Sequence, residues 1–283
     1  MMETQKIPLT AFIPGGDGRM VHTAKILEQA GCTVTLFGQD GGAPPSLPID
    51  QLVFAAEMIV LPIPVSRDGI TLNAPMATQP IPLDGIVSAL RKGQTVAGGG
   101  FPAGWSDAIR ARGCALYDCL TDERFALPNA LATAEGAVAL AITETSDLLS
   151  DSDCTILGYG RIAKHLSRLL TAMGARVTVI ARKAGARAEA TAEGCAAYSL
   201  TDAPSMLADT PLIFNTIPAP LFDFAKLLPT GGTVIDLAPV YAPADAPRVI
   251  RAAALPAKYA PRFAGRLFGE CILSHLREKE GIV

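Results

Sequence analysis

The sequence predicts an α/β protein of two Rossmann-like domains: a flavodoxin/Rossmann-like domain first and a dinucleotide-binding Rossmann domain second. Three observations carry that expectation. One is a strand–turn–helix–strand unit over 155–183, and another is a second such start over 7–37. The third is the length of 283 residues, long for a single core. A composition of 49% hydrophobic and 18% charged residues suits compact globular domains and excludes a disordered chain. The net charge of −3 gives no reason to expect nucleic acid.

In the 155–183 unit, Thr155 to Leu157 reads as a short strand. Gly158-Tyr159-Gly160-Arg161-Ile162-Ala163 then has the G-x-G-x-x-G/A form of a dinucleotide turn. Gly158 permits the tight turn, Gly160 lets the backbone approach a pyrophosphate, and Ala163 lets the helix pack on the strand. The helix N-terminus offers unpaired N–H groups and a positive dipole end to phosphates. Ile162, Leu166, Leu169, Leu170 and Met173 recur at helical spacing, Gly174 stops the helix, and Val177 to Ile180 forms the next strand. An NAD-type site places an acid at the end of that strand, about 20 residues on, to hold the ribose 2′-hydroxyl. Here the strand runs into Ala181-Arg182-Lys183. Two cations in place of the acid point to NADP, with NAD as the alternative cofactor and a solvated surface pair as the plain structural reading.

In chain order, Ile7 to Pro14 reads as a strand entering the turn Gly15-Gly-Asp17-Gly-Arg19, followed by a helix to Gln29 and a strand over Thr33 to Phe37. Asp17 would repel a pyrophosphate, so this turn reads as a substrate or structural loop. Gly41 to Pro48 is a connector. Met58 to Leu61 is a buried strand ending in Pro62-Ile-Pro-Val-Ser66-Arg67-Asp68-Gly69. Ligands of open α/β sheets bind beyond such carboxyl ends; a turn stapled by Asp68-Gly69 is the alternative. Asp84 to Leu90 is a short helix, Thr95 to Ala97 a strand, Gly98 to Gly100 a close-approach loop, and Cys114 to Asp118 the last strand of the first domain.

Leu127-Pro-Asn129 reads as the approach to a long apolar helix, Ala130 to Leu149, with Asn129 at its N-cap and Thr133, Glu135 and Gly136 interrupting its face. Ala184 to Glu193 and Asp202 to Ala208 are helices. Leu212 to Phe214 is a strand ending Asn215-Thr216-Ile217-Pro218, and Thr233 to Leu237 is a strand with Asp236 near its end. Both ends belong on the nicotinamide side of such a sheet. Arg248 to Ala253 is a strand or helix edge. From Ala260, a helix carrying Phe263, Leu267, Cys271, Ile272 and Leu276 is expected to pack back on the first domain. The expected divisions are 1–127, 128–255 and 256–283, with a cleft between the first two.

The six cysteines have no metal-ligand spacing and read as buried thiols of a reducing cytosol, without a metal. Met1 to Thr10 lacks a signal core and no run of 18 apolar residues occurs, so a cytoplasmic protein without a membrane partner is expected.

Several motifs together resemble the A-subunit family of bacterial dipicolinate synthase. They are Gly-Gly-Asp-Gly-Arg at 15–19, Leu-Pro-Ile-Pro-Val-Ser-Arg-Asp-Gly at 61–69 and Asn-Ala-Leu-Ala-Thr-Ala-Glu-Gly-Ala at 129–137. Gly-Tyr-Gly-Arg at 158–161, Phe-Asn-Thr-Ile-Pro at 214–218, Ile-Asp-Leu-Ala at 235–238 and Leu-Pro-Ala-Lys-Tyr-Ala-Pro-Arg-Phe-Ala-Gly at 255–265 continue the series over nearly the whole chain. The resemblance implies an NAD(P)-dependent oxidation in the making of dipicolinate, the calcium-chelating pyridine dicarboxylate of endospores. It also implies a second, flavoprotein-like component, the B-subunit of dipicolinate synthase. The chain departs from the family after Ala238, where Pro239-Val-Tyr-Ala-Pro-Ala replaces a short Pro-Gly-Gly turn.

The implied substrate, a hydroxylated tetrahydrodipicolinate, carries two carboxylates, which arginine forks hold best. Arg19, Arg67 and Arg262 are the candidate forks, with Ser66 and Thr133 adding neutral hydrogen bonds. Loss of water and of a ring proton needs an acid and a base; Glu135, Asp17 and Lys258 are the unranked candidates. His165 reads as a surface residue. Gly158, Tyr159, Gly160, Arg161, Ile162, Arg182 and Lys183 form the candidate cofactor set, and Asn215, Thr216, Ile217 and Asp236 would orient the nicotinamide. Two other readings stay open: an NADP-binding assembly component without independent catalysis, and a shikimate- or methylene-tetrahydrofolate-dehydrogenase-like protein. The latter would show a lysine-centred motif, and none occurs before Lys92. A homo-oligomer is also open.

Overall fold

The computed structural model describes residues 7–39, 47–208, 210–224, 232–238 and 248–279. The chain divides into two compact units, Met1–Ala126 with Pro261–Val283, and Leu127–Ala260. Both are parallel-sheet α/β domains, as the sequence predicts.

The first unit holds five parallel strands, β1 (Thr10–Pro14), β2 (Thr33–Phe37), β3 (Met58–Val60), β4 (Thr95–Gly98) and β5 (Ala115–Asp118), in the order β2-β1-β3-β4-β5. This is the flavodoxin-like winding, whose strand order reverses between β1 and β3. Central strands of such sheets are covered on both faces and so need continuous apolar runs; all three β3 residues are buried. Phe12 and Ile13 alternate to opposite faces and enter two separate cores. Helices α1 (Gly18–Gln29), α2 (Ile49–Ala55), α3 (Leu83–Ala89) and α4 (Trp105–Ala111) cover the sheet. The sequence reading did not anticipate α2 and α4, each seven residues long.

In the second unit, six parallel strands take the order β11-β10-β9-β6-β7-β8. They are β6 (Asp153–Leu157), β7 (Arg176–Ile180), β8 (Ala196–Tyr198), β9 (Leu212–Asn215), β10 (Thr233–Asp236) and β11 (Val249–Arg251). This is the doubly wound dinucleotide order, reversing between β6 and β9. In sequence, α5 (Glu123–Glu144) leads from the first unit into this one. The helices of the second unit that follow are α6 (Arg161–Ala172), α7 (Ala184–Ala192), α8 (Ala203–Leu207) and α9 (Leu255–Tyr259). The altered segment beginning at Pro239 lies outside the described residues.

Helix α5 corrects one expectation. It begins at Glu123 rather than Ala130 and contains Pro128, so Asn129 is an interior residue and not an N-cap. Asp122 supplies the start: its side chain accepts from Arg124 N at 2.9 Å and its carbonyl from Ala126 N at 2.8 Å. Pro128 has no N–H to offer the Arg124 carbonyl, a loss the helix tolerates near its beginning. Ala134, Ala137 and Ala141 on α5 are fully buried in the core of the second unit. Length and composition alone would let α5 cross a membrane, but a buried alanine face is that of a core helix.

The last helix, α10 (Pro261–Lys279), belongs to the first unit and lies along α1. Two glycines set the approach. A Cβ on Gly265 would collide with the Arg19 carbonyl oxygen, and one on Gly269 would fall 2.8 Å from Ile26 Cβ. The close approach lets Thr23 Oγ1 donate to the Gly265 carbonyl at 2.9 Å. Farther along, Arg124 ties α10 to the sheet by donating to Asp122 (2.8 Å), to Ser274 Oγ (3.0 Å) and to Glu278. Tyr117 of β5 donates to the same Asp122 at 2.9 Å. Gly265→Ala should therefore force α10 off α1 and destabilise the protein by about 1–3 kcal/mol, the usual cost of overpacking. A urea midpoint for Gly265→Ala equal to wild type would contradict this packing.

Candidate functional site

In open α/β sheets, ligands gather beyond the carboxyl ends of strands at the point where strand order reverses. In the first unit that point is the Gly15–Gly16–Asp17 turn after β1, facing the loop that follows β3. Asp17 is the N-cap of α1, its carboxylate accepting from Arg19 N at 3.1 Å. It also holds the Arg19 guanidinium by two prongs, Nε at 2.8 Å and NH2 at 2.9 Å. Arg19 NH2 reaches on to the Ile63 carbonyl at 2.5 Å, and the residue is only 7% exposed. The fork expected to grip a substrate carboxylate thus grips Asp17. Burial pushes the Asp17 carboxyl up, but the Arg19 hydrogen bonds and charge, aided by Arg67, outweigh it and hold the group below its ordinary range. A carboxylate so stabilised is a weak base.

Arg67 is in a different state. It is exposed, its Nε donating to Asn73 Oδ1 at 3.2 Å, and it lines a cavity of about 390 Å³ with Thr71, Asn73, Thr78 and Gln79. Asn73 anchors this loop: its amide donates to the Pro64 carbonyl at 3.1 Å, and its own carbonyl accepts from Gly16 N at 2.8 Å. Ser66 has a turn-closing part. Its hydroxyl donates to the Thr71 carbonyl at 2.6 Å and accepts from Gly69 N at 2.9 Å. Asp68 accepts from the backbone N–H groups of Ile70 and Thr71 and from the Thr71 hydroxyl, which keep its carboxyl far below the ordinary range. The stapled-turn reading therefore describes Ser66 and Asp68, while Arg67 projects from the turn they build.

The reversal point of the second unit lies between β6 and β9, where the Gly158 turn meets Asn215-Thr216-Ile217. Gly158 has φ +90° and would place a Cβ 2.6 Å from Thr216 Oγ1, so glycine is required there twice over. Thr216 Oγ1 donates back to the Leu157 carbonyl at 2.7 Å, locking the two strand ends together. Gly160 is the N-cap of α6 and supplies no side-chain cap, and a Cβ added to it would meet nothing within 4 Å. Open space beside a helix N-cap that carries no side chain suits a pyrophosphate. Ala163 is fully buried, as close packing of α6 on the sheet demands.

Other members of the cofactor set take different places. The Tyr159 ring is buried in the core, its hydroxyl donating to Glu193 at 3.0 Å; burial first, then Glu193, pushes its pKa up to about 12. Its side chain is therefore engaged in the core, which leaves only its backbone to the turn. Arg161 is exposed at the start of α6 and Ile162 half-buried beside it. Arg161, Lys164, His165 and Arg168 line a cavity of about 720 Å³ with Leu127 and Leu131. Lys164 is paired with Glu189 at 2.5 Å and Arg168 with Glu193 at 2.6 Å. Asn215 and Asp236 face each other in register across β9 and β10, and Asn215 Nδ2 donates to Asp236 Oδ1 at 2.8 Å. Asp236 is 1% exposed and also accepts from Ala238 N at 3.2 Å. Arg182 and Lys183 are exposed at the end of β7. Arg187, which the sequence analysis did not single out, donates from NH1 to the carbonyls of both Ala181 and Arg182.

The acid/base candidates do not form one cluster within either unit. Asp17 is in the first, Glu135 and Lys258 in the second. Glu135 is exposed on α5, and Lys258 is exposed with Nζ 5.0 Å from the centre of the Tyr259 ring. Gly136 brings their two helices together, since a Cβ there would lie 2.8 Å from Leu255 Cβ of α9. Thr133 Oγ1 donates to the Asn129 carbonyl at 2.8 Å. Arg262 is exposed in the first turn of α10, in the first unit.

Residues 10–120 match the family described as the N-terminal domain of the dipicolinate synthase A-subunit. The A-subunit of dipicolinate synthase from Bacillus subtilis (strain 168) is 27% identical over 168 residues, which are 55% of this chain and 57% of that protein. The alignment thus spans under two thirds of that relative. The crystal structure of the dipicolinate synthase A-subunit from Bacillus halodurans has a TM-score of 0.80 at 22% identity, over 98% of this chain and 99% of that one. The apo-structure of D-lactate dehydrogenase from Escherichia coli has a TM-score of 0.63 at 12% identity, over 97% and 98%. At such identities the structural likenesses speak for the fold alone. The match over residues 10–120 agrees with the motifs, and the chain is similar in fold to the dipicolinate synthase A-subunit over nearly its whole length.

The Asp17–Arg19 pair makes a stability prediction with a definite sign. A carboxyl with a depressed folded pKa stabilises the protein above its unfolded value, about 3.9, and this stability is lost as pH falls through the folded value. Wild type should therefore lose stability on acidification below about pH 4. Asp17→Asn, which leaves a mostly buried guanidinium without its counter-charge, should cost about 3–5 kcal/mol at neutral pH and show a shallower acid loss. Urea midpoints measured at neutral and acidic pH check both; an Asp17→Asn protein as stable as wild type at neutral pH would contradict the pair's role.

Proposed function

We propose that this chain is an NADP-dependent oxidoreductase acting on a hydroxylated tetrahydrodipicolinate-type dicarboxylate in the making of dipicolinate, partnered by the flavoprotein-like B-subunit of dipicolinate synthase. The observation that carries this reading is the second reversal point. A bare glycine turn leads into a helix whose N-cap carries no side chain, and the following strand runs into cations rather than an acid. The family match of residues 10–120 and the dehydrogenase-like fold support the same class of reaction. Dipicolinate formation ties the reading to sporulation and to the cytoplasm, where such a chain would work.

In this reading Gly158 and Gly160 shape the backbone around the pyrophosphate, with Arg161 and Ile162 continuing the N–H cradle. Arg182 and Lys183 receive a ribose 2′-phosphate. When bound, the nicotinamide supplies the hydride acceptor. Asn215 and Asp236 fix the polar edge beside it, the amide orientation of Asn215 being set by three hydrogen bonds, Nδ2 to Asp236 and to the Ile217 carbonyl and Oδ1 from Ile217 N at 3.1 Å. Arg67 holds a substrate carboxylate, with the Asp17–Arg19 pair ordering the loop on which it stands and Arg262 as a further cation. Glu135 and Lys258 remain the proton-transfer candidates, with Thr133 close to them in sequence or packing.

Titration of wild type with NADP⁺ and NAD⁺ tests the cofactor, and tighter binding of NAD⁺ would sink that part. Arg182→Asp should weaken NADP⁺ by about 1.5–3 kcal/mol, the size of a charge-assisted hydrogen bond, and leave NAD⁺ nearly unchanged. Arg67→Ala should raise substrate KM by about tenfold for each 1.4 kcal/mol lost with NADP⁺ affinity constant. Arg67→Lys should not restore it, because a point charge cannot copy a two-pronged fork. Equal loss of NADP⁺ binding in Arg67→Ala would instead assign that loop to the cofactor. A purified chain that gives no rise in reduced-nicotinamide absorbance until the flavoprotein-like partner is added would favour the assembly-component reading, which the ion-paired state of Asp17 supports.

A further inference from the structure

The turn between β7 and α7 contains a third cation that the fingerprint spacing does not announce. Arg187 is half-buried on α7, and its NH1 donates to the Ala181 carbonyl at 2.9 Å and to the Arg182 carbonyl at 2.8 Å. These carbonyls belong to the two residues just after the strand, and the same segment is anchored from the other side by Ala181 N donating to Tyr198 O at 3.0 Å. One guanidinium nitrogen is thereby fixed to the turn, while Nε and NH2 make no hydrogen bond among the described residues. The acid facing this turn, Asp202, is held by Ser199 N at 3.0 Å and Ser199 Oγ at 2.7 Å, and forms no ion pair with Arg187 within the described residues.

A long side chain already ordered by the backbone loses little rotamer freedom when a ligand arrives, so its hydrogen bonds contribute nearly their full value. A phosphate carries about two negative charges and three acceptor oxygens, more than one exposed arginine satisfies. The end of this strand is where a ribose 2′-substituent is read. We propose that Arg187 is a specificity-determining residue of the adenosine end of the site: it sets the 181–183 backbone and offers its remaining donors to the 2′-phosphate beside Arg182. This inference rests on the NADP reading above.

The test uses the full chain, as wild type, Arg187→Gln and Arg187→Lys, titrated calorimetrically with four probes: NADP⁺, NAD⁺, adenosine 2′,5′-bisphosphate and AMP. Arg187→Gln should weaken NADP⁺ and the bisphosphate by about tenfold or more, the scale of a lost charge-assisted hydrogen bond. NAD⁺ and AMP should hardly change. Arg187→Lys should fall between, since an ammonium cannot hold the turn and offer a fork together. Circular dichroism reports whether each variant folds, and if the glutamine variant does not, the selective loss must appear in the lysine variant. Parallel weakening of NADP⁺ and NAD⁺, or no change in either, overturns the proposal and leaves Arg187 as a turn-ordering residue. A wild type that prefers NAD⁺ and ignores the bisphosphate overturns the NADP reading itself, before any variant is compared.

Discussion

The first unit depends on one residue whose two ends do different work. The Arg19 side chain, held by Asp17 and reaching the Ile63 carbonyl, ties the start of α1 to the loop after β3 across the point where strand order reverses. The Arg19 main-chain carbonyl meets α10 at Gly265 and accepts from Thr23, whose hydroxyl also bonds the Gly265 carbonyl. A guanidinium taken out of water is costly without a partner, and the nearest one is built into the same turn. The pair therefore specifies one arrangement of turn, loop and returning helix. Any other would strand a charge. The Asn73 bond to Gly16 then seats the Arg67 loop against that fixed turn.

What was legible in the sequence was what is local. The Gly158 turn, the α6 face and the strand end at Arg182 could be read because spacing along the chain determines their geometry. Arg19 was legible as important but not as ion-paired: its partner is two residues away, and only the fold reveals that Asp17 caps the helix with one oxygen while holding the fork. Pro128 suggested a helix boundary by a rule that is sound on average. The Asp122 cap, read only once Arg124 and Ala126 were seen bonding to it, moved that boundary upstream. Tyr159 was placed at the cofactor by motif position, but a tyrosine with a buried ring and a carboxylate partner is satisfied in the core. Arg187 was invisible for the opposite reason: nothing in an alanine-rich helix marks a cation that bonds backward to the strand end.

The same winding principle brings a glycine turn to the reversal point of each sheet, yet the two turns have opposite electrical character. At the first, the helix N-terminus is already answered, because the Asp17 carboxylate accepts the Arg19 N–H and lies where an incoming anion would have to sit. A pyrophosphate there would meet like charge and would have to displace a bidentate ion pair. At the second, the N-cap is a glycine without a side-chain oxygen, an added Cβ there would meet nothing within 4 Å, and the neighbouring strand β7 runs into Arg182 and Lys183, with Arg187 anchored behind them. Gly160 brings no side-chain oxygen to the positive end of that helix dipole. So the difference between a loop that orders itself and a loop left open comes down to one side chain at the N-cap, Asp17 in one unit and Gly160 in the other. That single exchange gives two similarly wound sheets turns of opposite charge, and the proposed assignment of a dicarboxylate to the first and a dinucleotide to the second rests on it.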